Sequence, residues 1–129
     1  MKKKILIINA NYYKDISNGL LSSALKSIPS ISKTRIINVP GVFEIPVTIS
    51  KNLKKFDAFI ALGCVIKGQT PHFDFISQAS TQAIMNLSIE SKKPIGNGII
   101  TCLSINQATA RKKKGAEAAS AIISVLSQK

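Results

Sequence analysis

The sequence has no tryptophan, one histidine, two cysteines and only six acidic residues in 129 positions. Each scarcity removes a class of protein. Cys64 and Cys102 cannot build a disulfide framework, and neither belongs to a CxxC pair or a zinc-ligand cluster, so no metal is expected. Seven glycines and five prolines are too few for a collagen-like or low-complexity chain. The longest apolar run, Ala58 to Ile66, is nine residues, whereas a membrane-crossing helix needs about 20. The lysines at 2–4 lead straight into a strand-like run with no small-residue cleavage site, which is not the pattern of a secretory signal. What remains is a cytoplasmic domain without metal. It is expected to be one unit over residues 1–129, because that length supports one hydrophobic core and not two.

Against the six acidic residues stand eighteen basic ones, for a net charge of +12. Such an excess suggests an anionic partner, and a basic nucleic-acid-binding module is the reading to set against an enzyme. The make-up of the excess argues otherwise. Arg35 and Arg111 are the only arginines, and the lysines fall in short scattered runs at 2–4, 54–55, 92–93 and 112–114. Readers of nucleic acid add arginines for bidentate contacts and aromatics for stacking, and here there are five Phe and two Tyr. A solvated lysine surface, with neither nucleic acid nor membrane as partner, is the expectation.

Hydrophobic period switches repeatedly between short apolar runs and helical spacing. Lys4 to Ile8 reads as a strand buried on both faces. Ser17 and Asn18 are placed to cap a helix carrying Leu20, Leu21, Ala24, Leu25 and Ile28, stopped by Pro29. Arg35 to Val39 is a second strand, closed by Pro40-Gly41. A helix follows with Phe43, Ile45, Ile49 and Leu53 inward and Pro46 in its first turn. Ala58 to Leu62 is a third strand, followed by a long loop from Gly63 to Pro71. Ile76, Ala79, Ala83, Ile84 and Leu87 mark one face of a long helix. Ile99 to Thr101 is a fourth strand, and two helices, about 105–112 and 116–127, complete the chain. This alternation implies an α/β fold: a three-layer α/β/α sandwich with a four-stranded parallel sheet, flavodoxin-like. Ligands of such sheets bind outside the carboxyl ends of the strands. That points to four loops, at 9–15, 40–44, 63–72 and 101–104.

The richest of these is Gly63 to Asp74. Thr70 as N-cap and Pro71 at the first helical position would open a helix whose free amides suit an anion, although a Thr-Pro cap serves ordinary loops equally well. His72, the only histidine, falls in that first turn, where the dipole disfavours the imidazolium and keeps a proton-accepting ring. Glu44 either accepts hydrogen bonds from a polyol or amine, or complements a helix dipole from solvent. Tyr12 and Tyr13 either stack on a flat heterocycle or close the core from a loop. Arg111 either clamps a phosphate in bidentate fashion or belongs to a solvated cluster with Lys112–Lys114. Cys64 has no activating partner in sequence, and it and Cys102 are expected to be inert.

Two segments carry a resemblance. Val39-Pro40-Gly41-Val42-Phe43-Glu44-Ile45-Pro46, followed by the stretch from Ala61 to Asp74 (Gly63-Cys64-Val65-Ile66-Lys67-Gly68-Gln69-Thr70-Pro71-His72), resembles the 6,7-dimethyl-8-ribityllumazine synthases of riboflavin biosynthesis. The likeness runs from about Ile5 to Leu126. It implies a transferase that condenses 5-amino-6-(D-ribitylamino)uracil with 3,4-dihydroxy-2-butanone 4-phosphate, giving the lumazine, phosphate and water without a cofactor. By resemblance, Tyr12 stacks on the uracil, and Val42, Phe43 and Glu44 hold the ribityl chain. Cys64, Val65 and Ile66 contact the pyrimidine ring. Gln69 and Thr70 form the phosphate-binding turn, and His72 transfers protons. Arg111 is the phosphate-binding arginine, Lys114-Gly115-Ala116-Glu117 matches the family's Lys-Gly-x-Glu, and Asn97 stands where many members set a Phe against the ring. The resemblance also implies a homopentamer whose active site is shared, with Asn97 and Arg111 approaching from the next chain. The leading strand and the segment before the last helix are reduced here, so a pentamer, alone or paired as a decamer, is expected rather than an icosahedral shell.

Overall fold

The computed structural model describes residues 2–128 and contains one four-stranded sheet. Its elements in chain order are β1 (Lys4–Ala10), α1 (Lys14–Lys26), β2 (Lys33–Val39), a 3-10 turn (Val42–Glu44), α2 (Ile45–Asn52), β3 (Ala58–Ile66), α3 (His72–Ser91), β4 (Ile95–Cys102), α4 (Ile105–Ala110) and α5 (Lys114–Leu126). Every strand pair is parallel and the strand order is β2-β1-β3-β4. The α/β/α sandwich of flavodoxin-like arrangement is therefore what the chain adopts.

The two faces of the sheet are separated by the alternation of β1. Ile5 and Ile7 point to one side, where Ile16, Leu20 and Ala24 of α1 meet Ala118, Ala119 and Ile122 of α5. Leu6, Ile8 and Ala10 point to the other, onto Ile45 and Ile49 of α2 and Ile84 of α3. Successive strand residues face opposite ways, so a run that is apolar throughout is buried on both sides. The chain crosses from β2 at one edge, over β1, to β3 on the far side, and the strand order thus reverses between β1 and β3. A crevice is expected at that point.

Several local expectations need correction. α1 begins three residues before Ser17, and Ser17 is buried, its hydroxyl donating to the Ala10 carbonyl at 2.7 Å instead of capping a helix. Phe43 is not an inward residue of α2; it lies on the 3-10 turn and is 67% exposed. β3 continues to Ile66, so Cys64, Val65 and Ile66 are strand residues rather than loop. α3 begins at His72 with Pro71 at the cap position and no side chain capping it, which removes Thr70 from that role. Its inner face carries Ser80 and Ile84 with Ile76 and Leu87 packed beside them, and Ala79 is exposed. β4 starts at Ile95, four residues before the expected strand.

The last correction has a packing cause. A Cβ on Gly96 would collide with the Ala118 carbonyl of α5, and one on Gly98 would lie 2.6 Å from Leu62 Cδ2. Gly96 thus admits α5 pressed onto the edge strand, and Gly98 admits the Leu62 side chain of β3 beside it.

Candidate active site

Four segments that are distant in sequence meet at the carboxyl ends of β1 and β3. Together they line a cleft of about 540 Å³ formed by Tyr12, Tyr13, Gly41, Val42, Phe43, Glu44, Cys64, Val65, Ile66, His72 and Ile76. This is the place where the strand order reverses. Gly63 permits the closeness of the walls: an added Cβ would stand 2.8 Å from Val42 Cγ2 and 3.1 Å from Ala10 Cβ. The 3-10 turn is closed by the Glu44 N–H donating to the Gly41 carbonyl at 3.2 Å, and Thr48 Oγ1 donates back to the Glu44 carbonyl at 2.8 Å. Glu44 is thereby held half-buried at the start of α2.

The cleft is apolar on its floor and polar at its rim. Cys64 is buried, while Val65 and Ile66 are half-buried. Burial, and after it the neighbouring Cys102, pushes the Cys64 thiol up to about 12, so at neutral pH it is a small neutral wall and no nucleophile. Tyr13 is raised as well, first by burial and then by Cys64 and Tyr12. Its ring meets that of Tyr12 edge-on, with centroids 4.9 Å apart and planes at 82°. His72 stands exposed at the first position of α3, at the cleft rim.

A second cleft, of about 660 Å³, lies along the free edge of β4. Asn97, Ile99, Ile100, Thr101, Ala110, Arg111, Lys113, Lys114 and Glu117 line it. It shares no residue with the first. Three of its residues are cationic, and the one carboxylate, Glu117, sits 3.7 Å from Lys114 Nζ. Arg111 is held by a chain of caps. Ser104 Oγ accepts from the Gln107 N–H at 3.3 Å while Gln107 Oε1 accepts from the Leu103 N–H at 2.8 Å, a reciprocal arrangement that fixes the start of α4. At the far end Ser23 of α1 donates to the Lys112 carbonyl at 2.9 Å and accepts from the Ala116 N–H at 3.1 Å. The turn that bears Arg111 is thus clamped to α1. Asn97 is exposed, and its Oδ1 accepts from the Ile99 N–H at 3.0 Å.

The site residues expected from sequence therefore divide. Tyr12, Val42, Phe43, Glu44, Cys64, Val65, Ile66 and His72 are brought together, and Asn97 and Arg111 are brought together elsewhere. Gln69 and Thr70 line neither cleft; they are exposed in the turn that leads from β3 to His72. Ile76, on the apolar face of α3, packs against the core and also walls the first cleft one turn beyond His72, a double role that the i, i+4 spacing to His72 signals.

Comparison with known proteins gives a consistent picture. A family profile described as 6,7-dimethyl-8-ribityllumazine synthase matches residues 2–129. The 6,7-dimethyl-8-ribityllumazine synthase 1 of Rhodopseudomonas palustris is 40% identical over 136 aligned positions, covering 95% of this chain and 83% of the relative. The Methylorubrum populi protein of the same name is 39% identical, with 98% and 82% covered. That of Cutibacterium acnes is 38% identical, with 95% and 80% covered.

Proposed function

The chain belongs to the 6,7-dimethyl-8-ribityllumazine synthase family, and from that premise we propose that its two clefts are complementary halves of one active site. The activity is the transferase step of riboflavin biosynthesis that condenses 5-amino-6-(D-ribitylamino)uracil with 3,4-dihydroxy-2-butanone 4-phosphate. The observation that carries the residue assignment is convergence. Segments around Tyr12, Val42, Cys64 and His72 are far apart in sequence, and all line one cleft at the point where the strand order reverses.

In this reading the aminouracil occupies the first cleft. Tyr12 stacks on its ring, Cys64, Val65 and Ile66 form the wall at the ring edge, and Val42, Phe43 and Glu44 hold the ribityl chain, Glu44 accepting from its hydroxyls. The substrate amine attacks the butanone carbonyl, and loss of water leaves an imine. Phosphate then departs by β-elimination, and closure of the second ring expels another water. His72 takes and returns protons at the rim. Arg111 holds the phosphate dianion together with the Gln69-Thr70 turn and the first amides of α3, where the helix dipole favours an anion. Positioning is the larger contribution: alignment of two reactants supplies up to about 7–11 kcal/mol, while one acid–base group contributes roughly 10²–10⁴-fold. No step requires a cofactor.

Arg111 and Asn97 line a cleft separate from the one that holds His72, so we place them in the site of a neighbouring chain. A homopentamer satisfies this, each chain giving its first cleft to one neighbour and its second to the other. α3 supports it: from Phe75 to Ile89 the helix carries no charged residue, and Phe75, Met85 and Ile89 are exposed. A face of that kind, on a chain of net charge +12, suits contact with copies of itself. We place the reaction in the cytoplasm, where the free thiols Cys64 and Cys102 and a phosphorylated substrate are both at home. Incubation of the protein with both substrates tests the function. Lumazine fluorescence that rises only when both are present is expected, and its absence under saturating substrates would overturn the assignment.

A further inference from the structure

Tyr13 is the aromatic of the first cleft to which none of the assigned roles applies. Its ring packs against the core cluster beneath β1 and β3 and lines the cleft beside Cys64. The backbone on its far side is fixed: the Tyr13 carbonyl accepts from the Ser17 N–H at 2.9 Å, and the Ser17 hydroxyl donates to the Ala10 carbonyl at 2.7 Å. Tyr12 is the opposite case. It is 75% exposed, and the aromatic contact made by its ring is the edge-on one with Tyr13, at 4.9 Å and 82°. A side chain so exposed is free to sample several rotamers, and stacking on a flat heterocycle uses only one of them.

We propose that Tyr13 is a positioning residue that holds the Tyr12 ring upright at the cleft mouth, its face ready for the aminouracil before the substrate arrives. The proposal rests on the reading that Tyr12 stacks on that substrate. Edge-to-face geometry leaves both faces of one ring of the pair accessible while restricting its rotation, and a group ordered before binding spares the ligand that ordering cost. Tyr13 contributes through Tyr12, and it contributes to binding rather than to the chemical step. The ring makes the contact, so the hydroxyl is dispensable.

The test is a double-mutant cycle on the assembled enzyme, with both substrates varied in turn. Tyr13→Leu is expected to raise KM for the aminouracil about three- to tenfold, with kcat and the KM for the butanone phosphate unchanged. Tyr13→Phe should retain wild-type constants. Tyr12→Leu should raise the same KM, and adding Tyr13→Leu to it should raise it no further, because the second residue has lost the ring it acts through. Multiplying effects in the double variant, or a Tyr13→Phe variant as impaired as Tyr13→Leu, would overturn the proposal. A wild-type KM in Tyr12→Leu would instead refute the stacking assignment beneath it, and these outcomes are distinct. If Tyr13→Leu does not fold, Tyr13→Met, which keeps apolar bulk without a ring, takes its place in the cycle.

Discussion

In the role proposed for His72, loss of the imidazole removes a proton carrier but leaves the cleft that aligns the reactants. His72→Ala should therefore lower turnover by roughly 10–10³-fold with little change in either Michaelis constant; steady-state kinetics with wild-type turnover would contradict its role. The task proposed for Arg111 is of the other kind. Arg111→Lys keeps the charge and loses the planar fork, so KM for the butanone phosphate should rise by the equivalent of about 1–3 kcal/mol while that for the aminouracil stays put. Cys64 makes a prediction about pH. Its thiol is pushed up to about 12 by burial, above the ordinary value it regains on unfolding. Folding then favours the neutral form, so the stability it contributes is present below the ordinary thiol pKa and is lost as pH rises through that range toward 12. Thermal melts between pH 8 and 11 should show a falling Tm that Cys64→Ala flattens in part; a parallel decline in that variant would assign the effect elsewhere, for instance to Tyr13, which shifts in the same direction.

At the scale of elements, much of the fold is legible because its strands are apolar on both faces. Lys4 to Ile8 and Ala58 to Leu62 announce themselves as buried parallel strands, and the helices between them follow from spacing. What could not be read is where packing overrules local signals. Ser17 looks like a helix cap, but its hydroxyl serves the Ala10 carbonyl across the connection from β1 to α1. Gly63 looks like the end of a strand, yet it is glycine because Val42 and Ala10 crowd it, and the strand runs on to Ile66. The candidate site shows the same division: His72, Glu44 and Arg111 stand in recognisable segments, while the separation of Arg111 and Asn97 from the rest depends on which strand lies at the edge of the sheet. Gly63→Ala tests the crowding argument. The added methyl must push the Val42–Glu44 turn outward, costing about 1–3 kcal/mol of stability and raising KM for the aminouracil; an unchanged melting temperature would show that the wall yields freely.

At the scale of the whole molecule, the structure presents two separate clefts and an uncharged helical face on a strongly basic chain. In the proposed assembly, neighbouring chains complete one another. Light scattering at physiological salt should report a pentamer or a pair of pentamers, because repulsion between chains of net charge +12 grows with subunit number, though salt screens it beyond about 8–10 Å. A monomer or a shell-sized particle would each contradict that expectation. Sharing of the site is tested most directly by complementation. His72→Ala and Arg111→Ala should each be crippled, and mixing them under conditions of subunit exchange should create interfaces at which an intact His72 from one chain meets an intact Arg111 from the next. Lumazine formation in the exchanged mixture should recover to about a quarter of the wild-type rate, the share of intact sites in a random ring. A mixed sample no faster than the mean of the two variants alone would show that each chain carries its own complete site and would contradict the account.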